Sequence, residues 1–372
     1  MKILGFIENR RPFSFWVLML AMAVYLAICA MVFVQWVNPS LDGRTDQHVA
    51  ADSIRYIYMA DVVRGDRADP WVWVNLASFP NTLWMPVLIA TLLKSTVLMA
   101  IANFALFGAS IALFRRTANI NVGVFLFFLL LNPTTTVSLL SVNKEIVDLF
   151  LTALFCYFLT TRRKWAIISA LLIAVINRYE VGVALVAFLW IRSRFNPLRG
   201  RRVLSLVVVV LLLSVLLPIT ASESMNSRFR EASSTVTTTG LVAFLDQLQM
   251  RYLFALVVIP KALENMFGEL LNVPGWARYT LQDLANSYIL FFNNLATATV
   301  LLFLAWKRSL KISNDWIYLA LTIIIFMSIS LVTQPRYFYL CYVLFCFQAA
   351  QLRMAHRPGT EFVSRENALA LT

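Results

Sequence analysis

Residues 165–191 read WAIISALLIAVINRYEVGVALVAFLWI, an apolar run of 27 residues broken at its centre by Asn177-Arg178-Tyr179-Glu180. A bilayer core takes about 20 apolar residues per helical crossing, and an isolated charge at that depth is costly. Basic clusters flank the run on both sides, Arg162-Arg163-Lys164 before it and Arg192, Arg194, Arg199, Arg201 and Arg202 after it. Lys and Arg gather in the cytoplasmic loops of membrane proteins, so both flanks are assigned to one side. The run must then go in and come back. This pattern predicts two short half-helices with a polar turn at the far end, a backbone break that is tolerated where protein buries it or a wet cavity meets it.

Working outward, the rest of the chain is of the same kind. Of its 372 residues 60% are hydrophobic and 14% charged, and the mean hydropathy is +0.73. Soluble proteins average about 45–50% apolar and about 25% charged residues. Clear candidate spans are 13–37, 97–114, 203–220, 284–306 and 315–332, with shorter ones at 119–132, 145–160 and 337–352. The first lacks the small-residue exit of a cleaved signal and reads as a retained anchor. Residues 82–94 read as a helix extension or a re-entrant piece, and 252–260 are too short to cross. The expected fold is all-α: one polytopic membrane domain over 1–352, of about ten segments including the two half-helices, and a short polar tail at 353–372.

On this reading 1–12, 115–118, 161–164, 192–202, 307–314 and 353–372 are cytoplasmic, termini included. The outer side receives the loops 38–81 and 221–283, the segment 133–144, the turn 177–180, and 333–336. More than half of the 32 Lys and Arg fall on the cytoplasmic side, so the net charge of +13 is a topology signal and no pointer to nucleic acid. The four cysteines lie in apolar runs and there are two histidines, which argues against a disulfide framework or a Cys/His zinc site. No metal or other cofactor is expected.

Several polar constellations fall on the outer side. In 38–81, Ala51–Ala60 reads as a helix with Asp52, Tyr56, Met59 and Val63 on one face. Asp52 is either a base held at the membrane surface or half of an i,i+3 pair with Arg55 worth a few tenths of a kcal/mol. Ser141-Val142-Asn143-Lys144-Glu145 opens an apolar helix. Asn143 suits an N-cap, and Glu145 and Asp148 suit the helix dipole. A cation at that positive end is not called for by capping, and Lys144 with the helix N-terminus is suited to a phosphate. Arg178 and Glu180 either pair with each other or mark a substrate path. Arg336, in Gln334-Pro335-Arg336-Tyr337, is either a snorkelling residue or a substrate contact. The Ser/Thr tract and amphipathic stretch of 221–283 read mainly as structural.

An outward cavity with several cations and a few carboxylates suits an anionic amphiphile such as a lipid-linked pyrophosphate sugar. Asp52-x-x-x-Tyr56-x-x-x-Ala60 in the first outer loop resembles the start of GT-C-type membrane glycosyltransferases. The Asn-Pro…Asn143-Lys144-Glu145 segment, Asn177-Arg178-Tyr179-Glu180, the long outer loop and Pro335-Arg336-Tyr337 resemble Wzy-type polysaccharide polymerases. The sequence departs from the GT-C pattern where Ser53, not a second acid, follows Asp52, which favours metal-independent chemistry.

The resemblance implies a GT-C-like fold in a bacterial inner membrane, with a periplasmic active site that joins undecaprenyl-pyrophosphate-linked repeat units. It implies that Lys144, Arg178 and Arg336 hold the departing pyrophosphate and that Asp52 or Glu180 is the base. Tyr56, Asn143, Glu145, Tyr179 and Tyr337 support them, with Glu145 positioning Lys144 or capping its helix. The implied partners are the lipid-linked oligosaccharide, membrane lipid, and a chain-length regulator or other polysaccharide-assembly proteins. The alternatives are transfer of a single sugar from a polyprenyl-phosphate donor and a lipid-linked glycan flippase. Charges drawn toward one face and the lack of an internal repeat disfavour a transporter.

Overall fold

A computed structural model describes residues 51–78, 80–220, 248–271, 281–329 and 335–355, with single positions within 24–31 and at 244–245. The described residues form helices and no strand. Most of the expected anchor 13–37, much of the loop 221–283 and the tail from 356 lie outside them.

The stretch read as the outer loop 38–81 contains helices. α1 (Ala51–Arg64) and α2 (Pro70–Ser78) precede α3 (Pro80–Leu93), which takes up the apolar 82–94. Proline opens α2 and α3, where its missing N–H has no intrahelical partner to lose. Tyr56, Met59 and Val62 of α1 bury against Val72 and Leu76 of α2 and Leu83 and Val87 of α3, a small core of its own. Tyr56 and Met59 therefore share the buried face that the spacing called for. The loop acids are taken up locally: Arg64 pairs with Asp61 and Asp66, and the Tyr58 hydroxyl donates to Asp69 at 2.8 Å.

α4 (Thr96–Thr117) is followed by α5 (Val122–Leu131) and α6 (Pro133–Leu140), which meet at 85°. Asn121 and Asn132 accept from the Val124 and Thr134 amides as N-caps, and Pro133 is the first residue of α6. The segment 133–144, expected to be loop, is thus helical over its first two turns. An Asn-Pro pair is itself a helix-start signal. α7 (Lys144–Thr161), α8 (Lys164–Asn177) and α9 (Tyr179–Arg192) come next, then α10 (Arg202–Thr220). A turn at Gln249–Leu253, kinked at Arg251 and at the left-handed Tyr252 (φ 64), leads into α11 (Phe254–Leu271), so 254–260 belong to a longer helix. α12 (Leu281–Trp306), α13 (Asp315–Met327) and, after a 3-10 turn at Pro335–Phe338, α14 (Tyr339–Ala355) are the last described elements.

The chain breaks where the sequence is interrupted: α8 ends at Asn177, Arg178 is extended (φ −154, ψ 97), and α9 begins at Tyr179. Arg178 lies against Glu145 at the start of α7, whereas Arg162, just past the end of α7, lines one cavity with Arg192 and Arg202. Both basic flanks are therefore at one end of the molecule and the Asn-Arg-Tyr-Glu turn is at the other. α8 and α9, 14 residues each, are about 21 Å long at 1.5 Å per residue. They close tightly, because a Cβ at Gly182 would come 3.2 Å from the Ala174 Cβ.

α14 is the centre of the packing. Tyr339, Leu340, Cys341, Tyr342, Val343, Leu344, Phe345, Cys346 and Phe347 are all buried, so no face is left for solvent. Phe347 sits in an aromatic cluster with Phe114 (4.8 Å between centroids), Trp316 (5.1 Å) and Phe125 (6.2 Å). A helix apolar all round belongs to the inside of a larger bundle. The loops around 115–121, 161–164, 192–202 and 307–316 gather at one end: the Asn121 amide donates to the Ala350 carbonyl, Arg202 to Ile312 and Ser313 carbonyls, and Trp316 to Gln351.

Three helices end in a left-handed residue that is a cation instead of glycine: Lys94 (φ 52), Arg162 (φ 58) and Arg308 (φ 52). The strain costs about 1–2 kcal/mol each, partly offset by a positive charge at the negative end of the helix. Among the described residues α4 alone is long and apolar enough to cross a membrane unaided, and the bent pair α5–α6 passes the same test as one unit. The apolar stretches of α3, α8, α10, α12, α13 and α14 are 10–17 residues long.

Candidate functional site

The site is built on the loop that links α6 to α7. Asn103 of α4 donates through Nδ2 to the carbonyls of Ser138 (3.1 Å) and Ser141 (2.8 Å), satisfying acceptors that the end of α6 leaves open. Ser53 of α1 donates to the Val142 carbonyl at 2.6 Å. Asn143 accepts from the Lys144 amide at 3.2 Å and caps α7 as its sequence position suggests. The start of α7 is thereby fixed from α1, α4 and α6 together.

On that platform sits a buried charge network. Arg178 Nη2 lies 3.0 Å from Glu145 Oε1, and Arg178 Nε lies 3.3 Å from Asp148 Oδ2. Asn177 donates to Asp148 Oδ1 at 2.6 Å and to the Lys144 carbonyl at 3.4 Å. Ser138 Oγ donates to Glu145 Oε2 at 3.5 Å. Glu145, Asp148, Asn177 and Arg178 are each at least 96% buried, and the Tyr337 ring covers the guanidinium at 5.2 Å. Arg178 Nη1, also buried, has no hydrogen-bond partner among the described residues.

The Arg178 fork is thus already divided between two carboxylates, and neither is Glu180. Glu145 engages Arg178 and Ser138 in addition to standing in the first turn of α7. Arg178 acts as a clamp that holds the hairpin turn on the start of α7, and an external diphosphate would have to displace a carboxylate to be gripped bidentately. Lys144 is half-buried, with Nζ 5.9 Å from the centroid of the Tyr56 ring. Tyr179 is exposed and Glu180 half-buried at the start of α9.

Of the residues singled out in the sequence, the structure therefore brings together Lys144, Glu145, Arg178, Tyr337, Tyr56 and Asn143. Asp52 falls on α1 one turn before Tyr56, and Arg336 in the 3-10 turn beside Tyr337; their side chains lie outside the described residues. The sequence reading missed Asp148 as a site residue. Its signal was present: Glu145-x-x-Asp148 puts two acids on one face of an otherwise apolar helix, and such charges persist when paired. Asn177 and Asn103 were passed over because a neutral amide carries no charge signal.

A second polar layer lies between α11 and α12. Lys261, fully buried, donates to Gln249 Oε1 at 2.9 Å, and Asn132 at the α5–α6 bend donates to Asn293 Oδ1 at 2.6 Å. Gln249 in turn donates to the Ile329 carbonyl at 2.7 Å. Comparison of the chain with protein-family models, with curated proteins and with solved structures finds no match.

Proposed function

We propose that the chain is a polytopic inner-membrane glycosyltransferase of the polysaccharide-polymerase type, joining undecaprenyl-pyrophosphate-linked repeat units on the periplasmic face. One observation carries the reading: Tyr56, Lys144, Glu145, Asp148, Arg178 and Tyr337 come from four distant segments and meet at one end, while the arginine-rich loops meet at the other. Separation of that kind fits a site on the face opposite the positive loops. The short half-helices fit it too, since a hairpin of about 21 Å stops short of the roughly 30 Å hydrocarbon core and ends in a polar turn whose Asn177 and Arg178 are buried in protein.

In this reading Lys144 and the N-terminal amides of α7 meet the pyrophosphate of the leaving lipid, where negative charge accumulates as the glycosyl bond breaks. Arg336, one residue before the ring that covers Arg178, is the second cation toward the diphosphate. Glu180 or Asp52 accepts the proton of the acceptor hydroxyl, and the hydroxyl oxygen bonds to the anomeric carbon as the pyrophosphate leaves. Arg178 is a positioning residue, because both its carboxylate partners belong to the helix that presents Lys144.

The test is to delete the gene and separate the host's surface polysaccharide on a gel. Loss of the long ladder with a single repeat unit retained supports a polymerase. Loss of every repeat unit argues for the single-sugar transferase or the flippase, and an unchanged ladder removes the glycan reading.

A further inference from the structure

At the end of the molecule away from Arg178, a cavity of about 310 Å³ is lined by Arg162, Arg192, Arg199 and Arg202. No step of the proposed reaction uses it. Two of its cations are fixed by the fold: Asp315 Oδ2 holds Arg192 Nη1 at 2.8 Å and Asp315 Oδ1 holds Arg202 Nη2 at 2.9 Å. Arg202 also donates to the Ile312 and Ser313 carbonyls (3.1 and 2.7 Å) and lies over the Tyr318 ring at 5.2 Å. Arg162 and Arg199 reach in from two loops and have no carboxylate partner among the described residues. In the described loops at this end, 115–121, 161–164, 192–202 and 307–316, Asp315 is the lone acid, and it pairs with two of the four arginines.

We propose that this cavity binds the phosphate group of an anionic ligand, supplied by the headgroup of a membrane phospholipid. Guanidinium forks match phosphate oxygens two at a time and are weakly hydrated, so desolvating them costs less than desolvating ammonium groups. Size limits the ligand. A volume at the low end of the roughly 300–1,000 Å³ typical of ligand sites takes a phosphate headgroup and leaves little space for a nucleotide base. Leu159 and Leu189 form an apolar wall beside the arginines. Around the same end Trp165, Trp190, Phe195 and Trp306 are between 46 and 74% exposed, the placement of rings that sit at a bilayer's headgroup level. The phosphate site stands on its own geometry, and the lipid source rests on the membrane reading above.

The test uses the full chain purified in a neutral detergent, with phosphatidylglycerol retention read by native mass spectrometry. Arg162→Gly and Arg199→Gln are combined, since both side chains are exposed and glycine relieves the left-handed backbone at 162. The double variant is expected to lower retention by about tenfold or more, while Arg163→Gln, on the same end but outside the cavity, leaves it unchanged. Inorganic phosphate that binds as tightly as the lipid, with the same arginine dependence, keeps the phosphate site and overturns the lipid source. Equal retention by the wild type and the double variant overturns the site. The membrane reading is checked separately, by whether the chain stays in host membranes washed with alkaline carbonate, so that the two cannot fail under one observation.

Discussion

Replacing Arg178 with alanine leaves Glu145 and Asp148 buried one helical turn apart with no cation between them. Both carboxylates are at least 99% buried, so water cannot replace the guanidinium without opening the end of the bundle. At 3.0 and 3.3 Å, and with an effective dielectric near 20, each pair attracts by roughly 5 kcal/mol before desolvation is counted. Desolvation offsets much of that gain, and what mutation exposes is the penalty of an orphaned charge, about 3–5 kcal/mol for a broken buried pair. For a chain of this length a kcal/mol is worth about 2 °C, so Arg178→Ala is expected to lower the thermal midpoint by about 6–10 °C.

The triple variant Arg178→Met, Glu145→Gln, Asp148→Asn removes the charges together. It is expected to recover most of the loss, because replacing a whole buried ion-pair network is often near neutral. Tryptophan fluorescence of the detergent-solubilised protein against temperature reads both. An Arg178→Ala midpoint within 2 °C of wild type, or a triple variant no better than the single one, would show that the network does not hold this end of the bundle together.

Other outcomes follow from the same structure. Lys144→Ala is expected to reduce glycan transfer by a hundredfold or more, about 3 kcal/mol of lost charge stabilisation, with the thermal midpoint little changed because the side chain is half-buried; a ladder of wild-type length removes Lys144 from the site. Asn132→Ala loses the cap of α6 and the bond to Asn293 together and is expected to cost about 2 kcal/mol in a denaturant titration that leaves the slope unchanged. Arg162→Gly is expected to raise stability by about 1 kcal/mol through relief of its left-handed φ, and a fall of that size would mean that the guanidinium contributes more than the backbone strain costs. Asp315→Ala is expected to cost no more than about 1 kcal/mol, since Asp315, Arg192 and Arg202 are each about a third exposed and solvent screens their pairs.

The hairpin was legible because its signal is local. Four polar residues inside an apolar run, with arginines on both sides, determine where the backbone turns and where its flanks lie, and the helices end and begin at Asn177 and Tyr179. The partner of Arg178 was not legible. Glu180 is two positions away, yet the fork reaches Glu145, 33 positions back, because the packing of α8 on α7 decides it. The helix dipole alone accounts for an acid near the start of α7, so the position of Asp148 does not by itself reveal a pairing.

The helices of 51–81 were partly legible, since the α1 spacing put Tyr56 and Met59 on one face. Their burial against α2 and α3 was hidden by the density of Asp and Arg on the solvent side. At Asn132-Pro133 a cap and a first-turn proline stood in the sequence, within a segment assigned to the outer side on topology alone. The 85° bend there turns the chain back toward Lys144.

The central claim, that the Lys144 end is a glycosyl-transfer site, is tested most directly by a turnover measurement. The purified chain is placed in vesicles with lipid-linked repeat units extracted from a host that lacks it, and the products are resolved by length. The account predicts dimeric and longer glycans with release of one polyprenyl pyrophosphate per bond formed, and their loss in Lys144→Ala. Repeat units that stay monomeric with the wild-type chain, or elongation that Lys144→Ala leaves untouched, would contradict it.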